Sequence, residues 1–316
     1  MEGTGTQFRV VITDQVFPDV DIERQLIEAA GGELVVARDR DDALRLVEDA
    51  DALLTTYMPI DADVMKKMRR VKIIARYGIG VDNIDVAAAR SAGIAVTNVP
   101  DYCVEEVATH TVALMLALVR KIPQSNEIVR SGGWGVRQLG ELQRFSKLTV
   151  GVIGFGRIAQ RVAVAVEALG ARMLIHDPYL SSAPGGRPFV SLQELFQGSN
   201  IVTVHCPLTP ETRGLVNENV LRLMPPASYL VNTSRGPIVD TSAVTSALAR
   251  GHLAGAALDV LEQEPPDLAA LVGVPNLVLT PHSAFLSTDS VRESQRKATT
   301  QVLKALQGQP LDYSVG

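Results

Sequence analysis

The sequence predicts an α/β protein made of two parallel-sheet units, and three observations carry that prediction. Short apolar, β-branched runs alternate with amphipathic segments along the chain, the pattern of parallel strands joined by crossover helices. The stretch from Leu148 to Asp177 reads strand, glycine turn, helix, strand, acid, the layout of a dinucleotide-binding βαβ unit. The length, 316 residues, fits two domains of ordinary size.

The first unit builds up in order. FRVVIT at 8–13 is a strand. DIERQLIEAAGG is an amphipathic helix with Ile22, Leu26, Ile27 and Ala30 inward and Gly31 as its stop. ELVVA is a second strand, and DDALRLVEDA a helix whose acids lie at its start, where the helix dipole favours them. ALLTT, a helix at DADVMKKMRR, VKIIAR, a helix at DVAAARSAG and IAVTN continue the alternation, so residues 1–100 form a flavodoxin-like unit. Residues 104–120 form a long apolar helix suited to connecting domains. Residues 123–147 are polar and glycine-bearing and hold the single tryptophan, Trp134, which has a place in a core, an interdomain contact or a subunit interface.

The second unit, 148–282, opens with the glycine motif. Gly154 makes the sharp turn, Gly156 lets a pyrophosphate approach the backbone, and Ala159 is small enough for helix to pack on strand. Ile158, Val162, Val166 and Leu169 recur at helical spacing, and Gly170 ends the helix. The helix start offers unpaired N–H groups and partial positive charge to phosphates. Asp177, 21 positions after Gly156, can bind the ribose hydroxyls and repel a 2′-phosphate, which favours NAD over NADP. Later strands are 201–205, 229–232, 254–260 and 277–280. A final helix at 289–307 returns to the first domain, and ligands are expected in a cleft at the carboxyl ends of the strands. A second glycine pair, in Arg76-Tyr77-Gly78-Ile79-Gly80, lacks the small third residue and the acid-ended next strand. It reads as a backbone anion site able to hold a carboxylate.

Composition excludes several classes. The net charge of −5, with no basic cluster, argues against nucleic acid and anionic membranes as partners. No apolar run reaches ~18 residues, and the start of the chain lacks a basic-then-apolar leader, so a cytoplasmic protein is expected. Cys103 and Cys206 have no metal-ligand spacing, and no HExxH or GxSxG motif is present, so no metal is expected.

Three strand-end segments of the second unit carry polar residues: Asn232-Thr233-Ser234-Arg235-Gly236, Asp259 to Pro265, and Thr280-Pro281-His282-Ser283-Ala284-Phe285. Chemistry at a 2-hydroxy acid needs a base for the hydroxyl proton, a carboxylate to orient that base, and a cation for the acid group. His282, Glu264 and Arg235 can supply these three parts. Glu262 and Glu264 both also read as solvated charges, and each of His282 and Arg235 alone reads as structural. His110, His176, His205 and His252 are weaker candidates at helix or strand positions.

Taken together, RYGIGVDNID, TNVP, VATHTVALMLAL, VGVIGFGRIAQ, HCPLTPETRGLVN, LVNTSRGPIVD, ALDVLEQEP and TPH resemble the D-isomer-specific 2-hydroxyacid dehydrogenases over nearly the whole chain. The resemblance implies a Rossmann NAD-binding domain at 101–285 and a flavodoxin-like substrate domain split between the chain termini, 1–100 and 286–316. It also implies a homodimer formed largely through the coenzyme domains, with the segment around Trp134 contributing. It makes His282 the acid/base, Glu264 its partner and Arg235 the substrate clamp. Ile79 and Gly80, beside Arg76, would hold the substrate carboxylate, and Phe285 would line the pocket. Gly154, Gly156, Arg157, Ile158 and Asp177 would meet the pyrophosphate and ribose; Cys206, Pro207 and Thr212 the adenine side; Thr233, Ser234 and Asp259 the nicotinamide, with Asp259 toward the carboxamide.

The chain departs from the family pattern in three places. Thr55 stands where phosphoglycerate-type members tend to have an arginine, which points away from a phosphorylated substrate. The chain stops at Gly316, without a regulatory extension. Ser283-Ala284-Phe285 follows His282, as a small residue and an aromatic do in the corepressor branch, whose VEE-x-A also resembles residues 104–108. The expectation is an NAD(H)-dependent oxidoreductase interconverting a small 2-keto acid and a D-2-hydroxy acid. The alternative is an NAD(H)-sensing interaction protein of the corepressor type.

Overall fold

Five parallel strands and five α-helices make the first unit of the chain among the described residues. The structure, a computed structural model, describes residues 7–180 and 184–316. Residues 1–6, which bear on the reading of the chain start, lie outside it. Strands and helices alternate as β1 (Arg9–Ile12), α1 (Asp21–Ala29), β2 (Glu33–Val36), α2 (Arg40–Leu46), β3 (Ala52–Thr55), α3 (Ala62–Met65), β4 (Ile73–Arg76), α4 (Val86–Ser91) and β5 (Ala95–Thr97). The strand order is β2-β1-β3-β4-β5, all parallel, which is the flavodoxin-like order.

The two-residue period of the strands sorts their side chains onto two faces. Val11, Leu53, Ile74 and Val96 meet Ala43, Val47, Val64, Met65 and Ala89 of α2, α3 and α4. Val10, Ile12, Leu54, Ile73 and Ala75 meet Ile27 of α1 and three residues from the far end of the chain, Val291, Ala298 and Val302.

Two readings of this unit need correction. In α1 only Ile27, of the four expected inward residues, is fully buried, and Glu23 is buried beside it. Its carboxylate accepts from Tyr77 Oη (2.8 Å) and Gln295 Nε2 (3.0 Å), which supply the partners a buried acid requires. The DADVMKKMRR helix is a single turn, α3.

The second unit, Cys103–Phe285, is contiguous in sequence, whereas the first resumes at Leu286–Gly316. It contains α5 (Val104–Val119), α6 (Ile122–Arg130), β6 (Thr149–Ile153), α7 (Arg157–Ala168), β7 (Arg172–His176), α8 (Leu192–Gly198), β8 (Ile201–Val204), α9 (Glu218–Leu221), β9 (Ser228–Asn232), α10 (Thr241–Ala249), β10 (Leu253–Leu258) and β11 (Leu277–Leu279). The order is β11-β10-β9-β8-β6-β7, again parallel, and a single bridge, Ile175 to Phe189, extends the sheet beyond β7. One face packs Val150, Val152, Val231 and Ala257 under α5 and α7; the other packs Ile153, Val202, Leu230 and Ala256 under α8 and α10. The chain leaves β6 toward β7 on one side and β8 on the other, and open sheets bind ligands at such a switch point.

The final helix, α11 (Thr288–Leu306), belongs to the first unit and packs on α1, β3 and β4. A capping box starts it: Ser287 Oγ accepts from Ser290 N and Ser290 Oγ from Ser287 N, both at 2.9 Å.

Two further differences fall in the second unit. Leu169 is 44% exposed, because α7 has ended by the time the chain reaches it. The 123–147 segment contains α6, a helix with no buried residue. Ile122, Val129 and Val136 are exposed, and Trp134 is 87% exposed, so this tryptophan is not a core residue. Among the described residues no helix is long and apolar enough to cross a membrane.

Candidate active site

The glycine motif sits at the switch point, between β6 and α7. Gly154 has φ +82°, and a Cβ there would lie 2.7 Å from the Cys206 nitrogen, so only glycine fits against the loop after β8. Gly156 differs: its φ is −75°, and no protein atom lies within 4 Å of a Cβ position. Neither backbone nor packing demands glycine here; the side chain is missing on the open side, where a pyrophosphate would lie. Arg157 and Ile158 open α7, and Ala159, fully buried, seats it on the sheet.

The Asp177 carboxylate accepts from Phe155 N (2.8 Å) and Tyr179 N (2.9 Å), which ties the end of β7 to the glycine turn. These features fit an NAD pyrophosphate and ribose. The loop expected on the adenine side is stitched internally, with Thr212 Oγ1 donating to Pro207 O (2.7 Å), and it is tied to the loop after β9 by Ser234 Oγ donating to Cys206 O (2.5 Å). Burial pushes the Cys206 thiol up to about 11, so it is an inert packing group. Burial likewise pushes His205 down to about 4, which leaves it neutral.

The strand ends of β9, β10 and β11 carry the three residues expected to be catalytic, Arg235, Glu264 and His282. Buried Asn232 shapes the first loop by accepting from Ser234 N (3.0 Å) and donating to Arg235 O (2.9 Å). Arg235 is half-buried, and Thr233 Oγ1 lies 2.7 Å from Thr111 Oγ1 of α5. After β10 the two acids separate. Glu262 accepts from Thr241 N (2.9 Å) at the start of α10. Glu264 accepts from Leu261 N (3.0 Å) and holds His282 Nδ1 at 2.6 Å. Burial alone would raise the Glu264 carboxyl. The hydrogen bond and charge of His282, the Leu261 amide and the charge of Arg235 outweigh it, and its pKa lies below the ordinary value. Phe285 sets its ring edge-on to His282, centroids 6.2 Å apart.

His282 has φ +51°, a left-handed conformation that costs energy for a residue with a Cβ. Asp259 holds it there. Its carbonyl accepts from His282 N (2.8 Å), Oδ1 from Ser283 N (2.9 Å) and Thr280 Oγ1 (2.5 Å), and Oδ2 from Ala284 N (3.0 Å). The Asp259 side chain is 1% exposed. Its observed work is to clamp the histidine turn, a role that the expected carboxamide contact did not include.

In the first unit, Gly78 O accepts from Val99 N (3.1 Å) and Ile79 O from Asn98 Nδ2 (2.6 Å). In a trans peptide the N–H points opposite to the preceding carbonyl, so the Ile79 and Gly80 N–H groups both face away from that segment. Arg76 is the residue expected beside the substrate carboxylate. It is 8% exposed, and its Nε donates to Thr56 O and Asn83 Oδ1, both at 3.1 Å. A Cβ on Gly78 would lie 2.1 Å from its guanidinium, so Arg76 braces the loop from beneath. Thr55, which stands where the family pattern has an arginine, is fully buried and donates to Asp14 Oδ1 (2.9 Å). Among the described residues no His, Cys, Asp and Glu cluster could hold a metal.

Residues 112–284 match the family model described as D-isomer specific 2-hydroxyacid dehydrogenase, NAD binding domain. The chain is 33% identical over 307 residues to D-3-phosphoglycerate dehydrogenase of Methanocaldococcus jannaschii, covering 95% of this chain and 58% of that protein. It therefore spans little more than half the length of that relative. It is 37% identical to glyoxylate reductase of Thermofilum pendens, covering 85% of this chain and 82% of that enzyme. The crystal structure of D-lactate dehydrogenase from Aquifex aeolicus, complexed with NAD and lactic acid, superposes with a TM-score of 0.87 at 28% identity, covering 95% of this chain and 96% of that one. The chain belongs to the D-isomer-specific 2-hydroxyacid dehydrogenase family, and its second unit carries that family's NAD-binding domain.

Proposed function

We propose that the protein is an NAD(H)-dependent oxidoreductase that interconverts a small, unphosphorylated 2-keto acid and the D-2-hydroxy acid. The observation that carries this reading is the 2.6 Å bond between His282 Nδ1 and Glu264 Oε2 at the strand-end edge of an NAD-binding sheet. Bound NADH supplies the hydride; the remaining work falls to the chain.

In reduction, the Ile79 and Gly80 N–H groups receive the substrate carboxylate, and Arg235 polarises the keto oxygen. Glu264, held ionised, fixes the His282 ring and stabilises its protonated form, so Nε2 delivers a proton to the oxygen as the carbonyl is reduced. In oxidation the same nitrogen takes the proton back. Phe285 lines the substrate side, and Asp177 selects NAD over NADP. The segment Thr55-Thr56-Tyr57-Met58 beyond β3 carries no cation for a phosphate. A cytoplasmic homodimer joined partly through the Trp134 segment belongs to the same reading. The corepressor reading gains no support from the relatives described above.

The test is NADH consumption against small, branched, aromatic, dicarboxylic and phosphorylated 2-keto acids, with NADPH as control. Rapid turnover of an unphosphorylated class is the expected result. Tight NADH binding with only trace turnover of every class overturns the enzyme reading.

A further inference from the structure

We propose that His110 is a positioning residue for the acid/base histidine, acting through a hydrogen-bond chain of Thr280 and Asp259; this rests on the reading of His282 as acid/base.

His110 lies on α5, its side chain 26% exposed. Its Nε2 is 3.1 Å from Thr280 Oγ1, at the end of β11. That same oxygen is 2.5 Å from Asp259 Oδ1. A hydroxyl has one proton to give and lone pairs to receive with. Asp259 is already the acceptor for the Ser283 and Ala284 amides, so the Thr280 proton goes to Asp259. The lone pairs of Thr280 are what remain for His110, and Nε2 is therefore the protonated nitrogen. The chain then runs His110 Nε2–H to Thr280 Oγ1–H to Asp259 Oδ1, and the same Nε2 lies 3.6 Å from Asp259 Oδ1 itself.

Asp259 is also the group that clamps the 282–284 turn. The left-handed His282 persists because its surroundings over-determine it, and His110 is the outermost member of that set. Its neighbour on α5, Thr111, makes the matching contact to Thr233 beyond β9. Two consecutive residues of one helix thus brace the loops that present His282 and Arg235. Without its donor, Thr280 Oγ1 keeps only Asp259 as a partner, the Thr280–Asp259 pair is held less firmly, and the His282 ring is less well aimed. A misplacement of ~1 Å at a reacting group costs roughly 100-fold in rate.

The test uses two pairs of variants of the full chain. His110→Leu and Thr280→Val remove the link; His110→Gln and Thr280→Ser keep an N–H or O–H at similar reach. NADH affinity, kcat and KM are measured with the 2-keto acid that turns over fastest, next to His282→Asn. Long-range proton–nitrogen NMR of the histidine rings is recorded without substrate. The expected result is a loss of kcat of roughly 10- to 100-fold in H110L and T280V with NADH affinity within about twofold, and most of it regained in H110Q and T280S. The double variant H110L/T280V should be no worse than either single one. The NMR signals should report His110 protonated at Nε2, and the His282 ring signals should move in H110L and T280V but not in their conservative partners.

Wild-type kcat and unmoved His282 signals in H110L overturn the positioning role. So does an additive double variant, or an equal loss in H110Q. A His282→Asn variant that keeps wild-type kcat removes the acid/base reading itself and the proposal with it. A His282→Asn loss beside an unaffected H110L removes the positioning role alone.

Discussion

A Cβ on Gly236 would fall 1.9 Å from the carbonyl carbon of Leu261. The loop that carries Arg235 thus lies flush against the turn that carries Glu264, backbone on backbone, and no side chain fits between them.

Gly236→Ala must push the two loops apart. Overpacking of this kind costs about 1–3 kcal/mol, and the displaced Arg235 should lower kcat/KM by roughly 100-fold. Urea unfolding and steady-state kinetics check both. A variant with wild-type values on both measures would show that the two loops can separate without consequence.

His282→Asn should lower kcat by roughly 100- to 10,000-fold while NADH binding stays within about twofold. Fluorescence titration with NADH separates the two effects. Loss of NADH affinity would place His282 in cofactor binding instead of proton transfer.

Glu264 has a lowered pKa in the folded chain, so its contribution to stability is present above the unfolded value of 4.5 and fades as pH falls through the lower folded value. Wild type and Glu264→Gln should therefore differ most in melting temperature near pH 7 and converge below pH ~4. Curves that stay parallel through that window would mean that the carboxylate charge is not what His282 holds.

Asp177→Ala removes the acceptor for Phe155 N–H and the negative charge beyond β7. The NADH-to-NADPH preference in kcat/KM should fall by about tenfold, a difference of roughly 1.4 kcal/mol. An unchanged ratio would separate Asp177 from cofactor choice and leave it as a loop anchor only.

Trp134 stands 87% exposed in a segment that also exposes Ile122, Val129 and Val136. Trp134→Glu should shift sedimentation from dimer toward monomer, because a charge in an apolar interface core is unfavourable. A wild-type protein that sediments as a monomer at micromolar concentration would sink the homodimer reading.

The alternation of strands and helices was legible because a buried parallel strand leaves an apolar run whatever surrounds it. The glycine motif was legible for the same local reason: turn, helix start and acid are set by neighbours in sequence. The His282–Glu264 pair was nameable from strand-end position and chemistry, but choosing Glu264 over Glu262 was sharpened by resemblance, since Glu262 sits two residues away with the same chemistry and is drawn instead to the start of α10. The burial of Glu23 was not legible, because an acid on a helix normally faces water; its partners, Tyr77 and Gln295, lie far along the chain. Arg76, Thr55 and Gly236 were beyond the sequence for a related reason. Each is fixed by groups that only tertiary folding brings near.

The two-part construction of the first unit has a consequence for the order in which the molecule comes to exist. Val291, Ala298 and Val302 close one face of a sheet whose strands all lie before Tyr102. As the chain leaves the ribosome, β1 to β5 emerge first, with that face uncovered and Glu23 lacking Gln295. The contiguous second unit emerges next and has its whole core available at once. The earliest-made sheet is thus completed last, and a nascent chain interrupted before α11 exposes an apolar, strand-rich surface to chaperones.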